Sequence, residues 1–334
     1  MVRMKDVAAK AGVSVFTVSC VINNSQKVSP ITRDKVLKAI ESLGYVPNPF
    51  ARSLRTRRSG TIGVVVPFFQ SANSRAFFGS VSEGIHEALK KNGFSLILSG
   101  ISHVPGEEKK ELINLVRKGI EGLIYAPLNC HKSLLESVNC PVVVIDRDLE
   151  GFCGDKVFNN NFESSFIAVD FLIKKGRRKI AYLGRLSMFS NHRERFEGYK
   201  EALRINKIPF DERLVKSPLW GSNELNGIDF GYTACNQVLS LQADAIFSNE
   251  SFGTLGILQY VKKRGLRIPE DLALITYDDP EWCALVDPPL TAVRQPTYQM
   301  GRSATELLLD RIANPDMPPR KIILESTLIV REST

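Results

Sequence analysis

Residues 4–22 read Met-Lys-Asp-Val-Ala-Ala-Lys-Ala-Gly-Val-Ser-Val-Phe-Thr-Val-Ser-Cys-Val-Ile, and this stretch decides the fold of the first domain. Its apolar residues recur at helical spacing on both sides of a tight turn at Ala11–Ser14. Ser14 suits the N-cap of a second helix over Val15–Ile22, because its hydroxyl can accept a hydrogen bond from a free amide of the first turn. Two short helices joined by a glycine-containing turn predict a helix-turn-helix.

A third helix is predicted over Thr32–Leu43, ending at Gly44. Its apolar stripe is expected to comprise Val36, Leu37, Ile40 and Leu43. The chain has 334 residues and a net charge of +8, and residues 1–60 hold that whole excess, with eleven Lys and Arg against three Asp and Glu. A basic module in front of a neutral body predicts a polyanionic partner for that module. A plain helical bundle that docks on the body is the alternative.

Residues 47–60 are expected to be a linker that folds on contact with a partner. About one and a half turns of helix fit between its prolines and its Ser-Gly end, too few to be stable alone. Arginines at positions 52, 55, 57 and 58 suit phosphates. Leu54 stands among them and suits a wedge between base pairs in the minor groove.

From Ile62 to Tyr277 apolar strands alternate with helices. Among them we predict the strands Gly122–Tyr125 and Ile180–Leu183 and the helices Ser133–Val138 and Ser251–Arg264. A loop is expected between the strand Val142–Ile145 and the helix that begins at Ser164. The strands are unbroken apolar runs, which is typical of parallel strands buried on both faces. Right-handed crossovers through the helices between them give two doubly wound subdomains. Ligands of such sheets bind beyond the carboxyl ends of the strands, in the cleft between the halves.

Polar residues stand at several of these strand ends. Carboxylate, amide and guanidinium groups form paired hydrogen bonds with neighbouring hydroxyl groups, so the set favours a polyol ligand. A single Asp or Asn at such a position could equally cap the next helix. The residues are Asp146, Arg147, Arg193, Asn249, Glu250, Asp278 and Asp279.

Other classes of protein fit the sequence poorly. Phosphate-binding, dinucleotide-binding and nucleophile-elbow motifs do not occur, so an enzyme is not expected. The six cysteines form no C-x-x-C pair and the four histidines have no metal-ligand spacing, so neither a metal nor another cofactor is expected. The N-terminus lacks the apolar core of a signal peptide and no run of about 18 apolar residues exists, which predicts a cytoplasmic protein without a membrane partner.

Short motifs that together form a family pattern are spread over the whole chain. They are Met4–Ala8, Ala11–Ser14, Thr17–Ser19, Asn23–Asn24, Gly44–Asn48, Ala51–Arg55, Ile62–Pro67, Arg193–Tyr199, Ile268–Leu272, Tyr277–Asp279, Pro289–Thr291, Val293–Pro296 and Val330–Ser333. In these motifs the chain resembles the lactose/galactose repressor (LacI/GalR) family of transcription regulators. The resemblance implies an α-helical helix-turn-helix headpiece and a periplasmic-binding-protein-like α/β body of two doubly wound parallel-sheet subdomains.

The resemblance also implies domain limits. The headpiece is expected over 1–46, the hinge over 47–60 and the body over 61–334. Within the body, one subdomain is expected from about 61–159 with 292–322, and the other from about 160–291 with 323–334.

The family's mode of DNA binding implies roles for single residues. Val15, Phe16 and Thr17 would face base edges, and Leu54 of a hinge helix would open the minor groove. The family usually has Arg where Cys20 stands, and Arg to guanine is the commonest specific contact in the major groove. Phe16 is an unusual reader whose ring suits a thymine methyl. The remaining DNA contacts implied, mainly to phosphates, are Lys5, Ser14, Asn23, Ala51, Arg52 and Arg55.

In the body the resemblance implies an effector site between the subdomains and a homodimer that binds operator DNA. The effector is expected to be a sugar or sugar phosphate, with a nucleobase or nucleoside as the alternative. A further alternative is a solute-binding protein that does not bind DNA, and the basic headpiece argues against it. The effector would shift the angle between the subdomains and so the spacing of the hinges. Its implied contacts are Asp146, Arg193, Trp220, Asn249, Asp278 and Gln295.

Overall fold

The computed structural model describes residues 2–22, 28–45, 59–68, 72–128, 132–186, 189–218 and 225–334. The chain divides into two compact units, residues 1–59 and residues 60–334. In the described residues, the first unit is helical and the second holds two β-sheets with helices between their strands.

The first unit contains the helices α1 (Met4–Ala11), α2 (Val15–Ile22) and α3 (Pro30–Leu43). Gly12 ends α1 in the left-handed conformation, at φ 65°. Ser14 Oγ accepts a hydrogen bond from the Thr17 amide at 3.1 Å, so Ser14 begins α2 as the sequence predicts. Val7, Val18 and Val36, one from each helix, are fully buried in the shared core. The predicted helix-turn-helix is therefore confirmed.

The third helix differs in detail from its prediction. It begins at Pro30 rather than Thr32, because Ser29 Oγ accepts from the Thr32 amide at 3.3 Å and proline suits the first helical turn. Leu37 was expected in the apolar stripe, but half of it, 50%, is exposed. Ala39 is buried instead, because it lies three residues after Val36 and so on the same face.

The first sheet of the second unit has six described strands and lies in the order β11, β5, β4, β3, β1, β2. All its strand pairs are parallel. Its strands are β1 (Thr61–Val66), β2 (Ser95–Gly100), β3 (Gly122–Tyr125), β4 (Val142–Ile145), β5 (Asp155–Asn159) and β11 (Lys321–Leu324).

The second sheet has the order β12, β10, β9, β8, β6, β7 among the described residues. Its pairs are parallel except β10 with β12, which is antiparallel. Its strands are β6 (Ile180–Leu183), β7 (Val215–Lys216), β8 (Ala245–Ser248), β9 (Ala273–Tyr277), β10 (Thr291–Arg294) and β12 (Thr327–Ile329).

Helices cover both sheets. They are α4 (Ala72–Lys91), α5 (Glu107–Arg117), α6 (Asn161–Lys174), α7 (Ser190–Ile205), α8 (Leu225–Ser240), α9 (Ser251–Arg264) and α10 (Thr297–Ala313). In the first subdomain α4 and α10 pack against each other, and in the second the pairs α6 with α7 and α8 with α9 do so. Two apolar cores result in each subdomain, one on each face of its sheet.

In the part of the chain that the structure describes, the backbone passes between the two sheets three times. The first passage is at Asn160, between β5 and α6. Strand β10 lies in the second sheet, so the expected return to the first subdomain at 292 moves to Gln295. Strand β11 lies wholly in the first sheet, so the last passage lies at 325–326 rather than at 323. Both corrections have one cause: a strand belongs to the sheet whose backbone groups it pairs with, whatever its neighbours in sequence do.

One predicted helix is wrong. Residues 133–138 were expected to be α-helical, but the structure has a single 3-10 turn at Lys132–Leu135. Pro141 follows closely, and a segment this short cannot offset the cost of starting an α-helix. Across the described residues, no helix is long and apolar enough to cross a membrane.

Candidate functional site

Two aspartates at strand ends adopt the left-handed backbone conformation. Asp146 follows β4 with φ 67°, and Asp278 follows β9 with φ 69°. This conformation costs a residue other than glycine about 1–2 kcal/mol, and such strain concentrates at functional sites. The two sheets thus carry an aspartate in this conformation at equivalent strand ends. Asp278 lines the pocket described below, whereas the Asp146 carboxylate is bonded to Arg147 and Asn191.

Helix capping does not explain these polar residues. The N-caps of the next helices are Asn160 after Asp146 and Pro280 after Asp278. Glu250, not Asn249, occupies the N-cap of α9. The side chains of Asp146, Asn249 and Asp278 are therefore placed for contacts other than caps.

A buried arginine lies between the two sheets. Arg195 is 5% exposed and its guanidinium lies over the Tyr277 ring, 3.6 Å from the centroid. Its Nε donates to Asn161 Oδ1 at 2.9 Å and its Nη1 to the Asn249 carbonyl at 3.4 Å. Burial alone would lower the pKa of Arg195, but Tyr277 and Asp278 outweigh it and raise that pKa, so the group stays cationic.

The sequence prediction named Arg193 at this place, but Arg193 is exposed. Two residues along a helix correspond to a turn of about 200°, so Arg193 and Arg195 point to nearly opposite sides of α7. The arginine among the cleft residues is Arg195.

Gln295 connects both sheets at the second passage. Its Oε1 accepts from Asn159 Nδ2 at 2.6 Å and from Arg195 Nη2 at 3.3 Å. Its Nε2 donates to Asp278 Oδ1 at 2.5 Å. Asn159 is 3% exposed, and its Oδ1 has no hydrogen-bond partner among the described residues. A buried acceptor of this kind is satisfied by water or by another bound group.

A pocket of about 250 Å³ opens beside this array. Both subdomains line it: Phe77 comes from α4 of the first, and Asp278 and Asp279 follow β9 of the second. Its other lining residues are Ala76, Pro280, Arg294, Gln295 and Thr297. One aromatic ring and several carboxylate and amide groups meet there, as in sites that fix a polar ligand by a few placed groups.

Charges among the described cleft residues are balanced. Arg147 pairs with Asp146 at 2.8 Å, and Arg185 lies 3.5 Å from Glu250. Burial raises the pKa of Glu250, and Arg185 opposes this rise. The remaining charges are those of Arg195 and Asp278, described above, and of Asp279 and Arg294, which line the pocket and pair with each other. Burial, with the positive charges of nearby arginines, lowers the pKa of His192 well below its ordinary value. A neutral polar ligand suits such a site better than a highly charged one.

In the first unit, α2 presents an exposed apolar edge. Phe16 is 74% exposed and Val15 is 46% exposed. Lys5 and Ser14 are also exposed, whereas Thr17 and Cys20 are half-buried. Exposed apolar side chains at the start of a helix suit contact with base edges and thymine methyl groups. Their contact with DNA stays a prediction.

Several predicted site residues lie outside the described residues. For the DNA contacts these are Asn23, Ala51, Arg52, Leu54 and Arg55. For the effector contacts it is Trp220.

Comparison with known families covers both units. Residues 3–48 match the lacI family of bacterial regulatory proteins, and residues 169–334 match the periplasmic binding protein-like domain. The repressor PurR of Vibrio atlanticus is 33% identical to the chain, over 100% of the chain and 98% of the relative.

The chain belongs to the LacI family.

Two solved structures of transcription regulators match the chain over nearly its whole length. The complex of the transcriptional regulator CelR with cellobiose has a TM-score of 0.73 and 31% identity, covering 100% of both chains. The lac repressor dimer bound to operator and the anti-inducer ONPF has a TM-score of 0.85 and 25% identity, covering 99% of this chain and 98% of that one.

Membership of the LacI family makes the chain a DNA-binding repressor and not an enzyme. It also confirms the predicted fold class, a helix-turn-helix headpiece with two parallel-sheet α/β subdomains. Among the described residues, no group of His, Cys, Asp or Glu side chains is placed to hold a metal ion.

Three residues of this LacI-family cleft were missed from sequence. Asn159 ends β5, a strand that was not predicted. Asn191 and Arg195 lie on the buried face of α7, whose members recur every three or four residues. That periodicity, applied to the whole helix, was the signal that could have separated Arg195 from Arg193.

Proposed function

We propose that this LacI-family repressor controls a carbohydrate-utilisation operon and that a neutral sugar bound in the cleft sets its affinity for the operator. The observation that carries the proposal is the array of Asn159, Arg195, Asp278 and Gln295 beside a pocket that both subdomains line. Carboxylate, amide and guanidinium groups on one site match the alternating donors and acceptors of sugar hydroxyls.

The ligand class follows from charge and shape. Matched positive and negative groups leave little net attraction for a phosphate, while the buried Oδ1 of Asn159 can accept from a ligand hydroxyl. The Phe77 ring lines the pocket and can pack against an apolar face of the ligand. A sugar ring has such a face. The cellobiose complex of CelR, a relative with the same architecture, supports a sugar as well.

A thermal-shift panel of pentoses, hexoses, disaccharides and nucleobases tests the proposal. A ligand that binds only the native state raises the melting temperature, by an amount that grows with concentration over Kd. We expect a shift with a sugar and its loss in Asp278→Asn. Glu281→Gln makes the same chemical change at an exposed residue nearby and should keep the shift. A full shift in Asp278→Asn would contradict the assigned site.

A nucleobase is the second candidate, because the similarity to the repressor PurR extends over the whole chain. The same panel separates the two classes. A shift with a purine base and none with sugars would replace the sugar proposal and keep the cleft.

For operator binding we propose a homodimer, as in the operator complex of the lac repressor. Effector binding would change the angle between the subdomains and thereby the spacing of the two linkers over residues 47–60. Retention on operator DNA should fall steeply with salt, because the basic headpiece displaces counterions from phosphates. By linkage, operator DNA should change effector affinity by the same factor as the effector changes operator affinity.

A further inference from the structure

The segment Phe189–Asn191 crosses the cleft. It follows β6 and begins α7, and both belong to the second subdomain. Phe189 nevertheless lies in an apolar core of the first subdomain, in the cluster that contains Tyr125 and Phe158, and is only 4% exposed. The ring therefore anchors the second subdomain in the first.

Two hydrogen bonds accompany the anchored ring. The Asp148 amide donates to Ser190 Oγ at 2.8 Å. Asn191 Nδ2 donates to Asp146 Oδ1 at 3.1 Å. Both join the segment that follows β4 to the first turn of α7. Ser190, Asn191 and Asp146 are all at least nine-tenths buried, so water competes little for these bonds.

Arg147 completes the contact. Its Nε and Nη2 donate to Asp146 Oδ2 at 2.9 and 2.8 Å. Its guanidinium lies over the Phe189 ring, 4.3 Å from the centroid. One carboxylate thus holds the arginine with one oxygen and Asn191 with the other. The Asp146 carboxylate, which the sequence predicted to contact the effector, is bonded to Arg147 and Asn191 of the same chain.

We propose that Phe189, Ser190 and Asn191 form a latch that closes the two subdomains on each other before any effector binds. A protein with an open and a closed state binds ligand with an affinity that depends on the fraction already in the competent state. The latch sets that fraction through contacts that do not include the ligand. Its effect on operator affinity rests on the proposed function, but its effect on closure does not.

The decisive variant is Asn191→Asp. It keeps the Oδ1 atom that accepts from the His192 amide at 2.9 Å and replaces only the donor that faces Asp146. Two carboxylates then face each other, and the latch should open. The Asp148 amide reports on this, because its own acceptor, Ser190 Oγ, is untouched.

Hydrogen exchange of the full chain, without ligand or DNA, measures the opening. In Asn191→Asp we expect peptides that contain Asp148 to exchange roughly 10-fold faster, as for loss of a buried hydrogen bond. Gln237→Glu adds the same charge at an exposed position of α8 and should leave this exchange unchanged. Unchanged exchange at Asp148 in Asn191→Asp would overturn the latch.

Amides of β9, in the centre of the second sheet, show whether the variant is folded. If they too lose protection, Ser190→Ala decides the question by small-angle scattering. The radius of gyration should increase relative to the parent chain, because the subdomains part, and an identical scattering curve would overturn the proposal. None of these measurements uses a sugar, so a negative ligand panel would refute the proposed function and leave the latch standing.

Discussion

Gln295 Nε2 donates a hydrogen bond to Asp278 Oδ1 at 2.5 Å, and this bond joins the passage between the sheets to the carboxyl end of β9. The other end of the same amide accepts from Asn159 in the first sheet. The Gln295 side chain is therefore hydrogen-bonded to both subdomains. It is 8% exposed.

Gln295→Met should weaken both stability and effector binding. The substitution keeps the shape but leaves the Asp278 carboxylate and the Asn159 amide without this partner, which costs about 1–3 kcal/mol for a buried group. Urea denaturation measures the free energy of unfolding. Gln237→Met, at an exposed site, should change it by less than about 0.5 kcal/mol. Equal effects of the two substitutions would show that the Gln295 bonds contribute nothing.

Arg195→Lys should lower effector affinity about tenfold or more. An ammonium group cannot reproduce the planar fork that reaches Asn161, the Asn249 carbonyl and Gln295 together. Calorimetric titration with the effector found in the panel measures the loss. Arg193→Lys, on the exposed side of the same helix, is the matched control and should bind as the parent does. The opposite ranking would restore the sequence prediction.

Phe16→Ala should reduce operator affinity by about 1–3 kcal/mol at sites with a thymine under the ring. Because the side chain is 74% exposed, the melting temperature should stay the same. Fluorescence anisotropy with labelled operator and a thymine-to-uracil copy measures the methyl contact. An equal loss on both sequences would mean that the ring does not touch the methyl group.

Cys20→Arg should increase discrimination at one base pair, since arginine pairs with two guanine acceptors. A selection from randomised operators, compared with the parent, should show a new guanine. The melting temperature of the headpiece serves as the control for packing, because Cys20 is half-buried. An unchanged preference would place this position away from the base edges.

Asp279→Asn should destabilise the protein at pH 7 and much less in acid. Asp279 is bonded to Arg294 and Arg331, and its side chain is 2% exposed. Burial would raise the pKa of this carboxyl, but the two arginines outweigh it and lower the pKa below its usual value. A carboxyl with a lowered native pKa stabilises the fold above its unfolded pKa and loses that contribution as pH falls through the native one. The difference in melting temperature should therefore narrow below about pH 4, and a constant difference would contradict the ionic role.

The sequence predicted most of the architecture because periodicity and apolar runs report local structure. The strands Ile180–Leu183 and Gly122–Tyr125 and the helix Ser251–Arg264 agree residue for residue. Predictions failed where contacts between residues distant in sequence decide the burial of a side chain or the pairing of a strand. Leu37 has an apolar side chain, but half of it is exposed in the described structure, and β10 is assigned to a sheet by its pairing with β9 and β12.

The position of the cleft could be predicted from sequence, but the contacts between its residues could not. Strand ends marked Asp146, Asn249 and Asp278 because the sheet topology requires it. The bonds of Gln295 link positions 159, 195 and 278, which no local pattern relates. Likewise, no local pattern shows that the Asn191 amide donates a hydrogen bond to the Asp146 carboxylate.

The three passages between the sheets also govern how the body is made. The first sheet receives its edge strand from residues 321–324, and α10 packs on β3, β4 and β5 from residues 297–313. An emerging chain therefore lacks one strand and one helix of its first subdomain while β6 to β10 are synthesised. Until the ribosome has added α10, the apolar face of the first sheet that α4 and α10 share is covered by α4 alone. Chaperones that bind exposed apolar surface can act on the chain in that interval.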